Sequence, residues 1–123
     1  MYEISVKDNF AAAHSLKEIG GGCERLHGHN FKVEVFLRSD KLLPDGTVMD
    51  FRKLKSYLKD VLDILDHTNL NETPPFDELN PSSENIAKFI YDKMKEKSNV
   101  DTMRVDVWES ENSRASYFSK DVY

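Results

Sequence analysis

The sequence contains one cysteine among its 123 residues, so no disulfide can form within the chain. A domain held together by disulfides is thereby excluded, and a reducing cytoplasm is the expected location. No apolar run approaches the length of a membrane span, and no signal peptide is evident at the start of the sequence. These absences predict a cytoplasmic protein that has no membrane partner.

Positive charge is also scarce. The sequence has 17 lysines and arginines against 22 aspartates and glutamates, which gives a formal net charge of −5. No basic stripe is visible, and this argues against nucleic acid as a partner. The proportions of hydrophobic (39%) and charged (32%) residues are ordinary for a globular protein. The length predicts a single domain, residues 1–123, that can bury a core.

Three of the four histidines lie close to the single cysteine. Cys23, His27 and His29 fall within seven residues, and His14 lies a short way upstream. Three neutral imidazoles are a common ligand set for a catalytic zinc ion, with a fourth position left open. A thiol beside such a site is a candidate acid or base, because a nearby metal lowers its pKa.

The alternation of apolar residues predicts that all three imidazoles point the same way. His27 and His29 share the parity of the apolar residues in one predicted strand, and His14 shares that of another. A lone inward histidine is more often a core residue whose ring is satisfied by backbone groups. Three on one face, with Gly28 relieving the crowding between two of them, predict a zinc site.

The remaining pattern predicts the order ββααββ. Strands are expected at residues 2–14 and 27–38, joined by a polar loop at 15–26, and again around 103–107 and 115–122. Helical spacing predicts helices at about 50–65, capped by Asp50, and from Ser82 or Ser83 to about 95–99. We expect an α+β layer in which a four-stranded antiparallel sheet carries both helices on one face. The unpaired outer strands and large apolar groups on the second face predict an oligomer.

Two further groups are candidates for chemistry. In Asp66-His67 a carboxylate can orient the adjacent imidazole, although the pair can equally be a polar end to the first helix. Glu109 continues the inward parity of its strand, and burying a lone carboxylate is costly. It can bind a donor–donor edge such as that of an amino-pyrimidinone, or it can form an internal salt bridge with Arg104 or Arg114.

Six collinear segments carry a family resemblance: residues 10–14, 23–30, 48–51, 65–71, 81–87 and 107–110. They resemble the 6-pyruvoyl-tetrahydropterin synthase/QueD family. The Cys-x-x-x-His-Gly-His block with its upstream histidine is the most specific part, and its short spacing resembles the 6-carboxy-tetrahydropterin synthase branch. The resemblance implies a tunnelling fold (T-fold), in which trimeric rings stack into a homohexamer with active sites between subunits.

The resemblance also implies roles for single residues. His14, His27 and His29 would hold Zn²⁺, Cys23 would be the general base, and Asp66 and His67 would form a proton relay. Glu109 would anchor the pterin of 7,8-dihydroneopterin triphosphate. The expected reaction expels triphosphate and acetaldehyde and leaves 6-carboxy-5,6,7,8-tetrahydropterin, in queuosine and 7-deazapurine synthesis. The cations for the triphosphate are left open among Arg25, Lys17 and Arg114.

Four alternatives stay open at this point. The chain can be a 6-pyruvoyl-tetrahydropterin synthase, which retains the side chain, or an aldolase-like enzyme acting on unphosphorylated dihydroneopterin. It can be a non-catalytic, zinc-dependent pterin-binding module. It can also hold a structural zinc with Cys23 as the fourth ligand, a closed site whose loss would unfold the protein.

Overall fold

The computed structural model describes residues 1–17 and 25–120; the prediction for Cys23 lies outside the described residues. These residues form five strands and two α-helices: β1 (Tyr2–His14), β2 (His27–Ser39), α1 (Phe51–Leu65), β3 (Thr68–Asn69), α2 (Ser83–Ser98), β4 (Met103–Ser110) and β5 (Ser113–Phe118). A short 3₁₀ helix, Leu70–Glu72, follows β3. No helix in the described residues is long and apolar enough to cross a membrane.

Strands β1 and β2 form a long antiparallel pair whose register runs from Tyr2 opposite Ser39 to His14 opposite His27. The predicted alternation is confirmed along this pair. Phe10 on β1 and Phe31 on β2 are both buried and stack with ring centroids 4.8 Å apart. The residues of the same parity on both strands therefore face the core, and the two histidines at the end of the pair continue that face.

Both helices cover this apolar face of the sheet, as predicted. Helix α1 packs against β1, α2 packs against β4 and β5, and the two helices contact each other. The caps follow the sequence, since Asp50 accepts from the backbone N–H of Arg52 and Ser82 accepts from that of Asn85. Because the helices pack on the sheet, the apolar stripe of each helix is buried against the strands.

The predicted fold class is confirmed, but the sheet has five strands in the order β3-β1-β2-β4-β5, not four. The added strand, β3, pairs in parallel with β1, so the sheet is mixed. Two residues are too few to show a period of two, which is why the sequence predicted only a loop here. The last strand also ends earlier than expected, at Phe118.

The face of the sheet that the helices leave open carries an ion-pair network centred on Asp106. This carboxylate is 1% exposed, although it points away from the apolar core. Arg104 donates to it through Nε at 2.7 Å and through a terminal nitrogen at 3.0 Å. Arg114 donates at 3.3 Å, and the hydroxyl of Ser116 also donates. The donors saturate the carboxylate, which is how a buried charge becomes tolerable.

Candidate metal centre and proton relay

The pairing of β1 with β2 brings three histidines together at one end of the sheet. His14 is the last residue of β1 and lies directly opposite His27, the first residue of β2, while His29 lies opposite Ala12. We call His14, His27 and His29 the histidine cluster. Its ring centroids lie 4.6 to 5.3 Å apart, with steep interplanar angles of 65° to 90°. The rings therefore approach edge to face.

Backbone carbonyls fix the orientation of two rings in the cluster. Nδ1 of His14 lies 2.7 Å from the carbonyl oxygen of Pro81, and Nδ1 of His27 lies 2.6 Å from that of Arg25. A carbonyl oxygen only accepts, so each Nδ1 carries the proton. In the neutral ring Nε2 is then the bare nitrogen. Both Nε2 lone pairs are thus presented as ligands, the arrangement typical of metal-binding histidines.

Glu109 lies among these nitrogens. Its Oε1 is 3.0 Å from Nε2 of His14, 2.9 Å from Nε2 of His29 and 3.6 Å from Nε2 of His27. The alternative prediction was a salt bridge from Glu109 to Arg104 or Arg114. Both arginines instead donate to Asp106. Strand parity had indicated the inward direction of Glu109, but not that its contacts are imidazoles.

The cluster contains a buried polar atom without a hydrogen bond. Nε2 of His29 is buried and makes none, since its short approach to Glu109 is not aligned as one. Burial lowers the pKa of His29, and the neighbouring His27 and His14 add to this, while the Glu109 carboxylate opposes it. A lowered pKa keeps the ring neutral near pH 7, the form that binds metals.

These residues fit a divalent metal ion. The four candidate ligand atoms of the histidine cluster and Glu109 lie within 4.8 Å of one another. In the neutral rings, the bare Nε2 atoms of His14 and His27 converge with a carboxylate oxygen and with the unpaired Nε2 of His29. Lone pairs that face one another in this way repel unless a cation or a proton lies among them. The set of three imidazoles with an oxygen suits zinc among the common metals.

Asp66 and His67 form a pair at the edge of β1. The backbone N–H of Ala11 donates to Oδ1 of Asp66 at 2.9 Å, and Nδ1 of His67 lies 2.9 Å from Oδ2 of the same carboxylate. The N–H of Ala11 lowers the pKa of Asp66, and His67 lowers it further. Asp66 therefore stays ionised and holds the His67 ring in one orientation.

The backbone at His67 is strained, and its ring is exposed. This residue has φ 58°, in the left-handed region that few residues other than glycine adopt. The N–H of His67 donates to the carbonyl of Ala11 at 2.6 Å, which helps to hold the turn. The side chain is 82% exposed and borders a concavity of about 460 Å³ that Gly28, His29 and Asn30 also line.

The structure thus separates the predicted site residues into two groups. The ligand atoms of the histidine cluster and Glu109 lie within 4.8 Å of one another, whereas the exposed ring of His67 pairs with Asp66 and borders a concavity that His29 also lines. Sequence parity could not reveal this for a residue in a turn. The expected role of Gly28 as a relief of crowding is not supported, because an added Cβ would meet only the carbonyl of Ala12, at 4.0 Å.

Comparisons with known proteins agree with this architecture. Residues 3–120 match the family described as 6-pyruvoyl tetrahydropterin synthase. The chain is 39% identical to the 6-carboxy-5,6,7,8-tetrahydropterin synthase of Synechocystis sp., over 97% of this chain and 95% of that protein. It is 37% identical to the dihydroneopterin monophosphate aldolase of Pyrococcus furiosus, over 86% and 88% of the two chains.

A solved structure gives the same result. The 6-pyruvoyl tetrahydropterin synthase of Caenorhabditis elegans superposes with a TM-score of 0.85 at 29% identity, over 97% of this chain and 96% of that one. The fold and its histidine cluster define an enzyme of the tunnelling-fold class. The chain belongs to the 6-pyruvoyl tetrahydropterin synthase family, which confirms the predicted resemblance.

Proposed function

We propose that the chain is a zinc-dependent 6-carboxy-5,6,7,8-tetrahydropterin synthase that acts on 7,8-dihydroneopterin triphosphate. The products are the carboxy-tetrahydropterin, acetaldehyde and triphosphate, in the synthesis of queuosine and related 7-deazapurines. The observation that carries the proposal is the convergence of three imidazole nitrogens and one carboxylate oxygen within 4.8 Å. The likeness to the Synechocystis protein, which bears this name, supports the choice of product.

The histidine cluster would hold the zinc ion through its three Nε2 atoms. The chemistry that zinc supplies when bound is polarisation of the side-chain oxygens of the substrate. The carbonyls of Pro81 and Arg25 keep two of the rings in the orientation that this requires. Glu109 would accept from the amino group and ring N–H of the pterin, a bidentate contact that fixes the orientation of the ring system.

The atoms of the proposed reaction balance with one water molecule. Elimination of triphosphate and internal rearrangement of the three-carbon side chain give two adjacent carbonyl carbons and a methyl group. Water then adds to the carbon next to the pterin ring, and the bond to the second carbonyl carbon breaks. The ring carbon keeps a carboxyl group, and the other two carbons leave as acetaldehyde. No external oxidant or reductant is required.

Cys23 and His67 would move the protons. Cys23, as a thiolate, would abstract the proton, and His67 would exchange protons with the substrate while Asp66 orients its ring and stabilises the imidazolium form. The hydrogen bond from Ala11 and the lowered pKa of Asp66 support this second role, because a carboxylate that stays ionised can stabilise a charged imidazole.

The separation of His67 from the histidine cluster supports an active site shared between subunits. Within one chain the ring of His67 is 82% exposed and pairs with Asp66, outside the group of four converging ligand atoms. We therefore propose that His67 serves the cluster of a neighbouring subunit in a homo-oligomer, for which a hexamer of two trimeric rings is the expected form. Among the described residues β3 and β5 are the outer strands of the sheet, and their outer edges provide places where such subunits can pair.

For the triphosphate, Arg25 and Lys17 are the candidates that the geometry favours. The carbonyl of Arg25 contacts the ring of His27, and Lys17 follows His14 by three residues. Both side chains are exposed, so they can reach an anion in solvent. Arg114 instead pairs with Asp106 on the open face. The single cysteine supports a cytoplasmic location for this enzyme.

The first test is incubation of zinc-loaded protein with 7,8-dihydroneopterin triphosphate, with the pterin and acetaldehyde followed by mass. Acetaldehyde and a carboxy-tetrahydropterin in equal amounts are expected. A pyruvoyl product without acetaldehyde would assign the chain to the branch that retains the side chain. Turnover of dihydroneopterin or its monophosphate, with no need for triphosphate, would favour aldolase chemistry, which the likeness to the Pyrococcus protein makes worth testing.

Three variants test the assigned residues. Cys23→Ala is expected to bind zinc and pterin but to lose turnover, whereas loss of fold would indicate a structural thiol. Mixing inactive His29→Ala and His67→Ala proteins tests the shared site. If each site combines a cluster with a neighbour's His67, reassembled oligomers regain about a quarter of wild-type activity, and none if both come from one chain.

A further inference from the structure

Glu109 is the feature that the proposed function does not fully use. A pterin anchor needs only to face the pterin, yet Oε1 of Glu109 lies within 3.6 Å of all three Nε2 atoms of the cluster. In the neutral His14 ring Nε2 is bare, because Nδ1 donates to the carbonyl of Pro81, so the 3.0 Å contact with Oε1 of Glu109 is a hydrogen bond only when the ring carries both protons. The carboxylate therefore lies where a bound cation would be shared.

The distances indicate which position the oxygen occupies. Zinc–nitrogen bonds of about 2.0–2.1 Å place the corners of a tetrahedral site about 3.3–3.4 Å apart. The three observed separations of 2.9, 3.0 and 3.6 Å lie on both sides of that value. They are too long for an oxygen at the centre of the site and match an oxygen at its fourth corner. That corner is the one that a catalytic zinc leaves open for substrate.

We propose that Glu109 is an exchangeable ligand: it closes the fourth position of the metal while no substrate is bound, and it leaves to bind the pterin. This inference rests on the proposed function, since it uses both the metal and the pterin. The Glu109 side chain is 32% exposed, so one side of it is open for such a movement. The side-chain oxygens of the substrate then occupy the corner that Glu109 has left.

The exchange has a consequence for recognition. A pterin without a side chain can engage Glu109, but it has no oxygen to replace the lost metal ligand. Such a compound and the metal ion compete for one carboxylate, and each weakens the binding of the other by the same factor. The full substrate supplies both contacts. Glu109 would therefore favour pterins that carry a hydroxylated side chain over pterins that do not.

The test uses the full-length protein loaded with Co²⁺, whose visible absorption reports the ligands of the metal. Addition of pterin without a side chain is expected to change this spectrum as a water replaces the carboxylate. Pterin fluorescence establishes saturation. An unchanged spectrum at saturation would overturn the inference. This titration needs no variant, so it stays decisive if substitutions disturb folding.

Two variants sharpen the experiment. In Glu109→Gln, the Co²⁺ affinity measured against a competing chelator is expected to fall by at least about 10-fold, the loss that even an outer partner of a metal site produces. The control Glu111→Gln removes the same charge two residues away and is expected to change the affinity by no more than about twofold. Equal affinity and equal spectra in wild type and Glu109→Gln would contradict ligation.

The outcome separates this inference from the proposed function. If the enzyme is active but its Co²⁺ spectrum does not change when pterin binds, the proposed function stands and the proposed ligand exchange is rejected. If the Co²⁺ spectrum changes when pterin binds but the protein does not turn over 7,8-dihydroneopterin triphosphate, the ligand exchange stands and the proposed function is rejected.

Discussion

Two carboxylates on β4, three residues apart, lie on opposite faces of the sheet and have opposite surroundings. Asp106, on the open face, is saturated by donors from Arg104, Arg114 and Ser116. Glu109, on the helix-covered side, meets three imidazoles, of which two present bare nitrogens. The first group is satisfied by donors within the chain, whereas the second leaves a buried nitrogen of His29 without a hydrogen bond. The comparison indicates that a satisfied ionic group stabilises the fold and an unsatisfied one binds a ligand.

The largest expected effect comes from removing one ring of the histidine cluster. In His14→Gln the metal affinity should fall by about 10²–10³-fold, or 3–4 kcal/mol, because complete four-ligand sites are worth about 10–16 kcal/mol. Chelator competition measures this, with circular dichroism to establish folding. His67→Gln is the control, since it removes a histidine outside the cluster and should leave the affinity unchanged. Equal losses in both would mean that the cluster is not the metal site.

Asp106→Asn should break the complete group instead. We expect the free energy of unfolding of the metal-free protein to fall by about 3 kcal/mol, the lower end of the cost of breaking a buried ion pair, since both arginines are partly exposed. Urea denaturation measures it. Glu34→Gln is the matched control on the neighbouring strand and should cost about 1 kcal/mol, because Glu34 accepts one hydroxyl from Ser5. Metal affinity should be unaffected in both variants.

Metal removal should have a smaller effect on stability than Asp106→Asn. If free zinc exceeds its dissociation constant by about 100-fold, its removal lowers the free energy of unfolding by about 2.7 kcal/mol and leaves a folded, inactive protein. Dialysis against a chelator, followed by circular dichroism and urea denaturation, checks this. Complete loss of helical signal would favour a structural zinc site, in which metal binding and folding are one event.

The smallest effect concerns the pH dependence at Asp66. Because the pKa of Asp66 is lowered in the folded protein, the unfolded chain binds more protons as pH falls below about 3.9, and stability is lost through the folded pKa. Asp66→Asn should therefore show a shallower loss of stability on acidification, measured by urea denaturation at several pH values. His67→Asn should change the slope less, since the N–H of Ala11 is the larger cause. An equal change in both would contradict that order.

The sequence predicted the inward-facing residues better than the residues in turns. Parity alone directed His14, His27, His29 and Glu109 to one side of the sheet, because a strand repeats every two residues. It could not give the direction of the His67 side chain, since a left-handed turn follows no period. Strand β3 was missed for the same reason: its two residues pair with β1 only because α1 ends beside that edge.

The ion-pair network around Asp106 could not be predicted from the alternation of apolar and polar residues either. Its parity is that of a surface carboxylate, and only the register of β4 with β5 shows that it lies opposite Ser116 and near two arginines. The predicted alternative for Glu109 used these same arginines because both lie close in sequence. The fold assigns them to Asp106, which leaves Glu109 with the imidazoles. Competition between two carboxylates for one set of cations is a tertiary property.

The carbonyl groups of Pro81 and Arg25, which orient two rings of the cluster, belong to the main chain. Every amino acid brings the same oxygen to such a position. Over evolutionary time the side chains at these two sites can therefore drift while the atoms that the histidines need are inherited unchanged. What the imidazoles require of these two positions is therefore the path of the main chain, and a substitution that preserves this path leaves the orienting atom in place.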